Sequence, residues 1–167
     1  MHTLTRLGAC AATLTVVISP AATFEMVKAA AEGGTVGLAS DLRRCDFSLV
    51  TTGPPVQRPR LGSGTVVIHK AGSKAIAEVH LYDPNQPGMH FDVGLIQEPL
   101  PSSATCGPGD PGTAFTGMDT DGAGNGTVTV QDTIRPGTTG VWVIIERGDP
   151  HSQNPAEFYT SEYVVPV

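Results

Sequence analysis

From residue 41 onward, the chain consists of short β-forming runs separated by turn-forming clusters. Runs such as Gly64–Lys70 and Ala75–Tyr82 alternate apolar and polar residues, which is typical of a strand with one buried and one wet face. The clusters between them are rich in Gly, Pro and Asp, so no stretch keeps a strong helical period. Short strands with regular turns favour antiparallel sheets. We therefore predict an all-β, antiparallel, Greek-key-type β-sandwich of about seven to eight strands, with a barrel as the alternative closure.

Individual runs differ in how many of their faces are apolar. Val141–Glu146 is nearly all apolar, which predicts a strand buried on both faces. Trp142 lies in this run and is predicted to be a core residue rather than a sugar platform. Residues 148–157 are predicted to form a loop. The runs predicted as strands are Asp46–Thr51, Gly64–Lys70, Ala75–Tyr82, Met89–Gln97, Thr127–Gln131, Val141–Glu146 and Phe158–Val165.

The N-terminal residues have the layout of a secretory signal peptide. Arg6 precedes an apolar run over Leu7–Ile18, and cleavage after Ala21 is favoured over a later Ala-x-Ala frame at Ala29–Ala31. The run is shorter than the roughly 20 residues that a bilayer span requires. The mature chain is therefore expected to be secreted or to lie in the cell envelope, with no membrane span. The predicted division is signal peptide 1–21, flexible leader 22–40 and β-sandwich domain 41–167.

The cysteines and the charge limit the possible functions further. Of the three cysteines, Cys10 leaves with the signal peptide, so Cys45 and Cys106 remain and are predicted to form a disulfide. A reactive thiol or a metal-binding pair is the alternative, but neither cysteine has a C-x-x-C spacing. The net charge is −6, with most acidic residues after residue 74, which argues against a nucleic-acid partner.

Three segments resemble a known family. They are Pro87–Val93 followed by Cys106-Gly107, then Thr120–Val128, and then Val141–Asp149. In order and spacing these segments are similar to the sandwich of copper/zinc superoxide dismutases and their relatives, including CHRD domains. The resemblance covers about residues 64–149 and implies the same sandwich scaffold.

The positions that bind metal in that family are different here. The resemblance assigns copper-binding histidines to positions that hold Asp92, Gly94 and Glu146, and residues 107–127 contain no histidine for zinc. The disulfide partner expected near the C-terminus is replaced by Cys45. Copper and zinc sites need several imidazoles around one ion. The resemblance therefore implies the scaffold without dismutase activity.

Histidines elsewhere form a candidate metal site. His69 and His80 flank one predicted hairpin, and His90 would join them if the strands formed a simple meander. With Asp92, or with Glu78, such a group could bind one copper or zinc ion. The alternative is that these are polar positions on the wet face of an antiparallel sheet.

An acidic turn forms a candidate calcium site. Asp119, Asp121 and Asn125 space their oxygen atoms at odd positions, as calcium loops do, but Val130 stands where a closing acidic ligand is expected. The alternative is a tight hairpin, because Asp-Gly and Asn-Gly pairs supply the positive φ angles of such turns. Asn125 also begins a glycosylation sequon.

No catalytic motif is recognisable in the sequence. The chain contains no G-x-S-x-G, no H-E-x-x-H and no phosphate-binding glycine loop. We therefore expect a secreted, non-catalytic binding or structural module without a cofactor, whose partner is an unknown protein or a cell-envelope component. The alternatives are a divergent, dismutase-like copper- or zinc-binding protein and a calcium-dependent adhesion module.

Overall fold

The computed structural model describes residues 33–50 and 62–167 of the chain. The predicted signal peptide and the first part of the predicted leader lie outside these residues. Within the described residues, all regular structure is β, and no helix is long and apolar enough to cross a bilayer. The strands are β1 (Thr35–Ala39), β2 (Ser63–Ala71), β3 (Lys74–Tyr82), β4 (His90–Glu98), β5 (Thr113–Asp119), β6 (Asn125–Thr133), β7 (Gly140–Asp149), β8 (Ser152–Ser161) and β9 (Val165–Pro166).

The strands form one antiparallel sheet that curls into a nearly closed barrel. Their order is β5-β4-β7-β8-β1-β2-β3-β6, and β9 pairs with the first residues of β7. The end strands β5 and β6 follow each other in the chain and lie side by side, which brings the two edges of the sheet together. The predicted all-β, antiparallel fold with one disulfide is confirmed, with the strands arranged as a single curled sheet.

The main core fills the inside of the barrel. On β3, Ala75, Ala77, Val79 and Leu81 point inward, as the alternating sequence predicts, and the residues between them face outward. Burying a large aliphatic or aromatic side chain stabilises a fold by roughly 1.5–3 kcal/mol, so these inward rows supply most of the driving force. The largest inward side chains include Val36, Val66, Ile68, Phe91, Val93, Leu95, Ile145 and Tyr159.

A second, smaller core lies on the outside of β4 and β7. Ile96, Trp142 and Ile144 form it, and residues 41–50 and 100–112 contribute side chains that pack against it. We call these two segments the stapled cover. Because one face of β7 packs inside the barrel and the other under the stapled cover, the prediction that Val141–Glu146 is buried on both faces is confirmed for Val141 to Ile145. Trp142 is fully buried, as predicted.

The disulfide joins the two halves of the stapled cover. Cys45 and Cys106 are bonded, with an S–S distance of 2.05 Å and a sequence separation of 61, which confirms the predicted bridge. Phe47 lies beside this bridge and contacts the Trp142 ring edge-on at 5.5 Å, while the Arg43 guanidinium stacks 3.9 Å from the Phe47 ring centre. The disulfide therefore helps to keep the Phe47 ring packed against Trp142.

Some predicted boundaries differ from the structure. β1 lies within the segment predicted as a flexible leader, because its Val36 and Leu38 enter the core although the surrounding sequence is Ala- and Gly-rich. The predicted strand Asp46–Thr51 is wrong over residues 46–50, where Asp46 caps a turn by accepting hydrogen bonds from Ser48. β7 and β8 extend into the predicted loop 148–157. β5 was not predicted as a strand.

Candidate functional site

The sheet places the first two candidate metal ligands on one outer face but apart. In the β2–β3 ladder, His80 pairs with Thr65 and His69 pairs with Ile76. Four residues along a strand separate the two imidazoles by about 13 Å. β3 is flanked by β2 and β6, whereas β4 lies between β5 and β7, so the meander that would bring His90 to them is not formed.

His90 instead pairs with two carboxylates on the outer face of β4 and β5. Its Nδ1 donates to Asp119 Oδ1 at 2.7 Å, and its Nε2 lies 3.8 Å from Asp92 Oδ1. The hydrogen bond to Asp119, with smaller contributions from both negative charges, raises the pKa of the exposed His90 imidazole. The ring lies over Gly117, where a side chain would collide with it.

Asp92 also faces Glu146 across the β4–β7 ladder. Partial burial, and to a lesser extent the Asp92 charge, raise the pKa of Glu146. Glu146 is therefore a carboxyl group that keeps its proton more readily than an exposed glutamate does. Among residues 33–50 and 62–167, no set of three or more His, Cys, Asp and Glu side chains is arranged to hold a metal ion.

The candidate calcium ligands are divided between two arrangements. Asp121 Oδ1 accepts hydrogen bonds from the backbone N–H groups of Ala123 and Asn125, and these bonds lower the pKa of Asp121. The Asn125 side chain also donates to this carboxylate at 3.3 Å. Asp121 and Asn125 thus close the β5–β6 turn together, while Asp119 is directed to His90.

A shallow depression of about 330 Å³ lies on the outer face of β2, β3 and β6. The ladder pairs Ser63 with Tyr82 and Thr65 with His80, and β6 continues both rows. The floor is the backbone around Gly64, Leu81 and Gly126. We call this surface the open face; its outward side chains are Ser63, Thr65, His80, Tyr82, Asn125 and Thr127.

The sequence interpretation did not find the open face. It grouped His80 with the other histidines, whereas the structure groups it with hydroxyl and amide side chains from the neighbouring strands. One signal was present: His80 and Tyr82 occupy successive outward positions on β3, and Tyr82 keeps 49% of its surface exposed. The pairing with β6 was needed to see that these residues form one surface.

A buried polar cluster lies inside one end of the barrel and was also not predicted. Asp83 follows β3 and is fully buried, and Glu157 on β8 is 5% exposed. The Tyr159 hydroxyl donates to Glu157 Oε1, and Arg147 on β7 pairs with Glu157 across the ladder. The sequence separates Asp83 from Glu157 by most of the domain, so only the sheet order brings them together.

The comparisons with known proteins give no relative. No protein-family model matches this sequence, and neither the search of curated proteins nor that of solved structures finds a match. The fold defines the chain as a disulfide-bonded, all-β protein built on a nearly closed antiparallel sheet. Function has to be inferred from the side chains that this sheet presents.

Proposed function

We propose that this chain is an exported, non-catalytic binding module that recognises an extracellular or cell-envelope partner through the open face. The observation that supports this proposal is the depression across β2, β3 and β6, where an exposed tyrosine ring stands among hydrogen-bonding side chains. The stapled cover packs over the apolar outer surface of β4 and β7.

The chemistry of the open face fits a neutral ligand that is rich in hydroxyl groups, such as a saccharide of the cell envelope. Its hydroxyl, amide and imidazole groups can each donate or accept hydrogen bonds, and none carries a fixed charge. The Tyr82 ring adds a flat apolar surface with a polar tip, which is why tyrosine is frequent in binding sites.

The open face is also rigid before any ligand arrives. β3 pairs along its full length with β2 on one side and with β6 on the other. The inward residues of β3, among them Val79 and Leu81, are anchored in the main core. A surface built on such strands loses little conformational freedom on binding, which favours affinity.

Binding to a panel of soluble oligosaccharides tests this proposal. We expect the purified mature protein to bind at least one member, and Tyr82→Ala to weaken that binding about tenfold or more, as loss of an aromatic anchor does. Tyr163→Ala is the matched control, because Tyr163 is 50% exposed and lies outside the open face.

Two results would overturn the proposal. One is that the protein binds no member of the panel; the other is that Tyr82→Ala and Tyr163→Ala bind equally well. If the intact open face bound a protein instead, the chain would still be a binding module, but its ligand would not be a saccharide.

The dismutase-like alternative has less support. The resemblance to the superoxide dismutase sandwich stays a prediction about the scaffold. Its metal-binding version, through His69, His80 and His90, would require imidazoles that lie on separate parts of the sheet to converge. The separate alternative, a calcium-dependent adhesion module, would require Asp121 to give up the hydrogen bonds that close its own turn.

A further inference from the structure

Two carboxyl groups meet inside one end of the barrel, beside the strands of the open face. Asp83 directly follows Tyr82 at the end of β3, and its backbone N–H donates to Gly124 O at 2.8 Å. Glu157 occupies an inward position on β8, and a side chain at Gly62 would touch both Asp83 and the Tyr159 hydroxyl. The pair is therefore enclosed by β3, β8 and the residues that directly precede β2 and β6.

The hydrogen bonds of this pair are incomplete. Asp83 Oδ1 accepts from the Asn85 N–H at 3.2 Å, and Glu157 Oε1 accepts from the Tyr159 hydroxyl. Asp83 Oδ2 and Glu157 Oε2 are buried and accept no hydrogen bond from the described residues. A buried oxygen without a hydrogen-bond partner destabilises the folded state, and a charged one does so more strongly.

Only one cation faces the two carboxyl groups within the described residues. Arg147 Nε lies 3.6 Å from Glu157 Oε2 without forming a hydrogen bond. The other titratable group against the pair is the Tyr159 phenol on β8, whose pKa is raised chiefly by burial and by the Glu157 carboxylate. If both acids were ionised, two buried negative charges would face one arginine, which is unfavourable in an apolar interior.

We infer that Asp83 and Glu157 together hold one proton in the folded protein, so that this end of the barrel is a buried proton-binding site. The proton turns one carboxyl group into a hydrogen-bond donor toward the other. The single negative charge that remains is balanced by Arg147. The arrangement is that of two neighbouring acids that cannot both ionise.

The consequence for stability has a definite sign. Burial, with the neighbouring Asp83 carboxyl, raises the pKa of Glu157 above that of an unfolded glutamate. The folded state then keeps a proton that the unfolded state has lost, so the contribution of this pair to stability is fully present below the unfolded pKa and is lost as pH rises through the folded pKa. For one retained proton, the folding equilibrium constant falls about tenfold per pH unit within that window.

Among the described residues, two other groups have a raised pKa, and their contribution to the pH dependence must be removed from the measurement. The raised pKa values of Glu146 and His90 also favour the folded state in acid. Neither side chain belongs to the main core, so the double variant Glu146→Gln with His90→Gln is a suitable background. Any slope that remains in this background reports mainly on the buried pair.

The experiment is denaturant unfolding of this background between about pH 5 and pH 8, which spans the range from carboxyl to imidazole titration. We expect stability to fall with pH, and Glu157→Gln or Asp83→Asn to flatten the slope. Glu98→Gln is the matched control, because Glu98 is also buried but both of its oxygens accept hydrogen bonds, so the slope should persist.

A background whose stability is flat or rises over this range would overturn the inference, as would a slope that survives in both carboxyl variants. Infrared spectroscopy of the Glu146→Gln, His90→Gln background gives a second readout if a carboxyl variant does not fold. A protonated carboxylic acid band must persist at neutral pH, and its absence would also overturn the inference. These measurements need no ligand, so their outcome is independent of the proposed binding function.

Discussion

Replacement of Gln97 by glutamate is the sharpest test of how this sheet is held together. Gln97 is fully buried near the end of β4, and its amide uses every hydrogen-bonding position it has. Nε2 donates to Asp132 Oδ2 at 2.6 Å and to Thr133 O at 2.9 Å. Oε1 accepts from Arg135 N and from Thr138 Oγ1, both at 2.8 Å. One side chain thus fastens the connection between β6 and β7 to β4.

The substitution Gln97→Glu keeps the shape of the side chain and removes only its two donors. The introduced carboxylate would face the Asp132 carboxylate and the Thr133 carbonyl oxygen in place of hydrogen bonds to both. Loss of a hydrogen bond to a charged group costs about 1.5–3 kcal/mol, and the uncompensated buried charge adds to this. We expect a loss of about 3–5 kcal/mol in the free energy of unfolding at neutral pH.

The pH dependence distinguishes this mechanism from a packing defect. Protonation of the introduced carboxyl restores one donor and removes the repulsion, so the loss of stability should shrink as pH falls. Gln131→Glu is the matched control, because Gln131 is exposed on β6 and the same change there should cost less than about 0.5 kcal/mol. Urea unfolding at neutral and acidic pH, followed by circular dichroism, measures both. Equal losses in the two variants, or a loss that does not depend on pH, would refute the reasoning.

Three further predictions concern the cover, a turn and metals. Replacing both Cys45 and Cys106 by alanine should cost about 4 kcal/mol and shift the emission of the single tryptophan to longer wavelength, whereas unchanged emission would mean that the cover holds without its bridge. Gly124→Ala should cost more than about 2 kcal/mol in urea unfolding, because φ is +84° and a Cβ atom would collide with the backbone carbonyl oxygen of Asp83. Gly72→Ala, with φ of +61° in open space, should cost only about 1 kcal/mol. Equimolar zinc or copper should change the melting temperature of wild type and His80→Ala equally, and a shift confined to the wild type would contradict the separation of the histidines.

The parts of this fold that could be predicted are those with local signals. β2, β3 and β4 each carry apolar residues at alternating positions, and these residues enter the core. β7 lacks that alternation because each of its faces packs against a core. Its uniformly apolar sequence indicated that both faces would be buried. The disulfide followed from the number of cysteines in a chain whose sequence predicts export.

The parts that could not be predicted depend on pairing between distant strands. β1 has only five residues in an Ala- and Gly-rich segment, and its place is set by β2 on one side and β8 on the other. His90 was grouped with His69 and His80 on the assumption that β4 pairs with β3 in a meander. In the structure β4 pairs with β7 instead. The buried pair of Asp83 and Glu157 required the same long-range information.

The outward residues of the strands explain why one outer face is covered and another remains open. On β4 and β7 the outward positions include Ile96, Trp142 and Ile144, which would be costly to leave in water, so a cover is needed and the disulfide keeps it closed. On β3 the outward positions include His80 and Tyr82, whose polar groups need no such cover. For an approaching partner, the apolar face is therefore covered by the chain itself, whereas the polar face is exposed to solvent. Binding at the second face requires only displacement of water, which is why the open face, rather than the richer apolar surface, is the site where recognition should be sought.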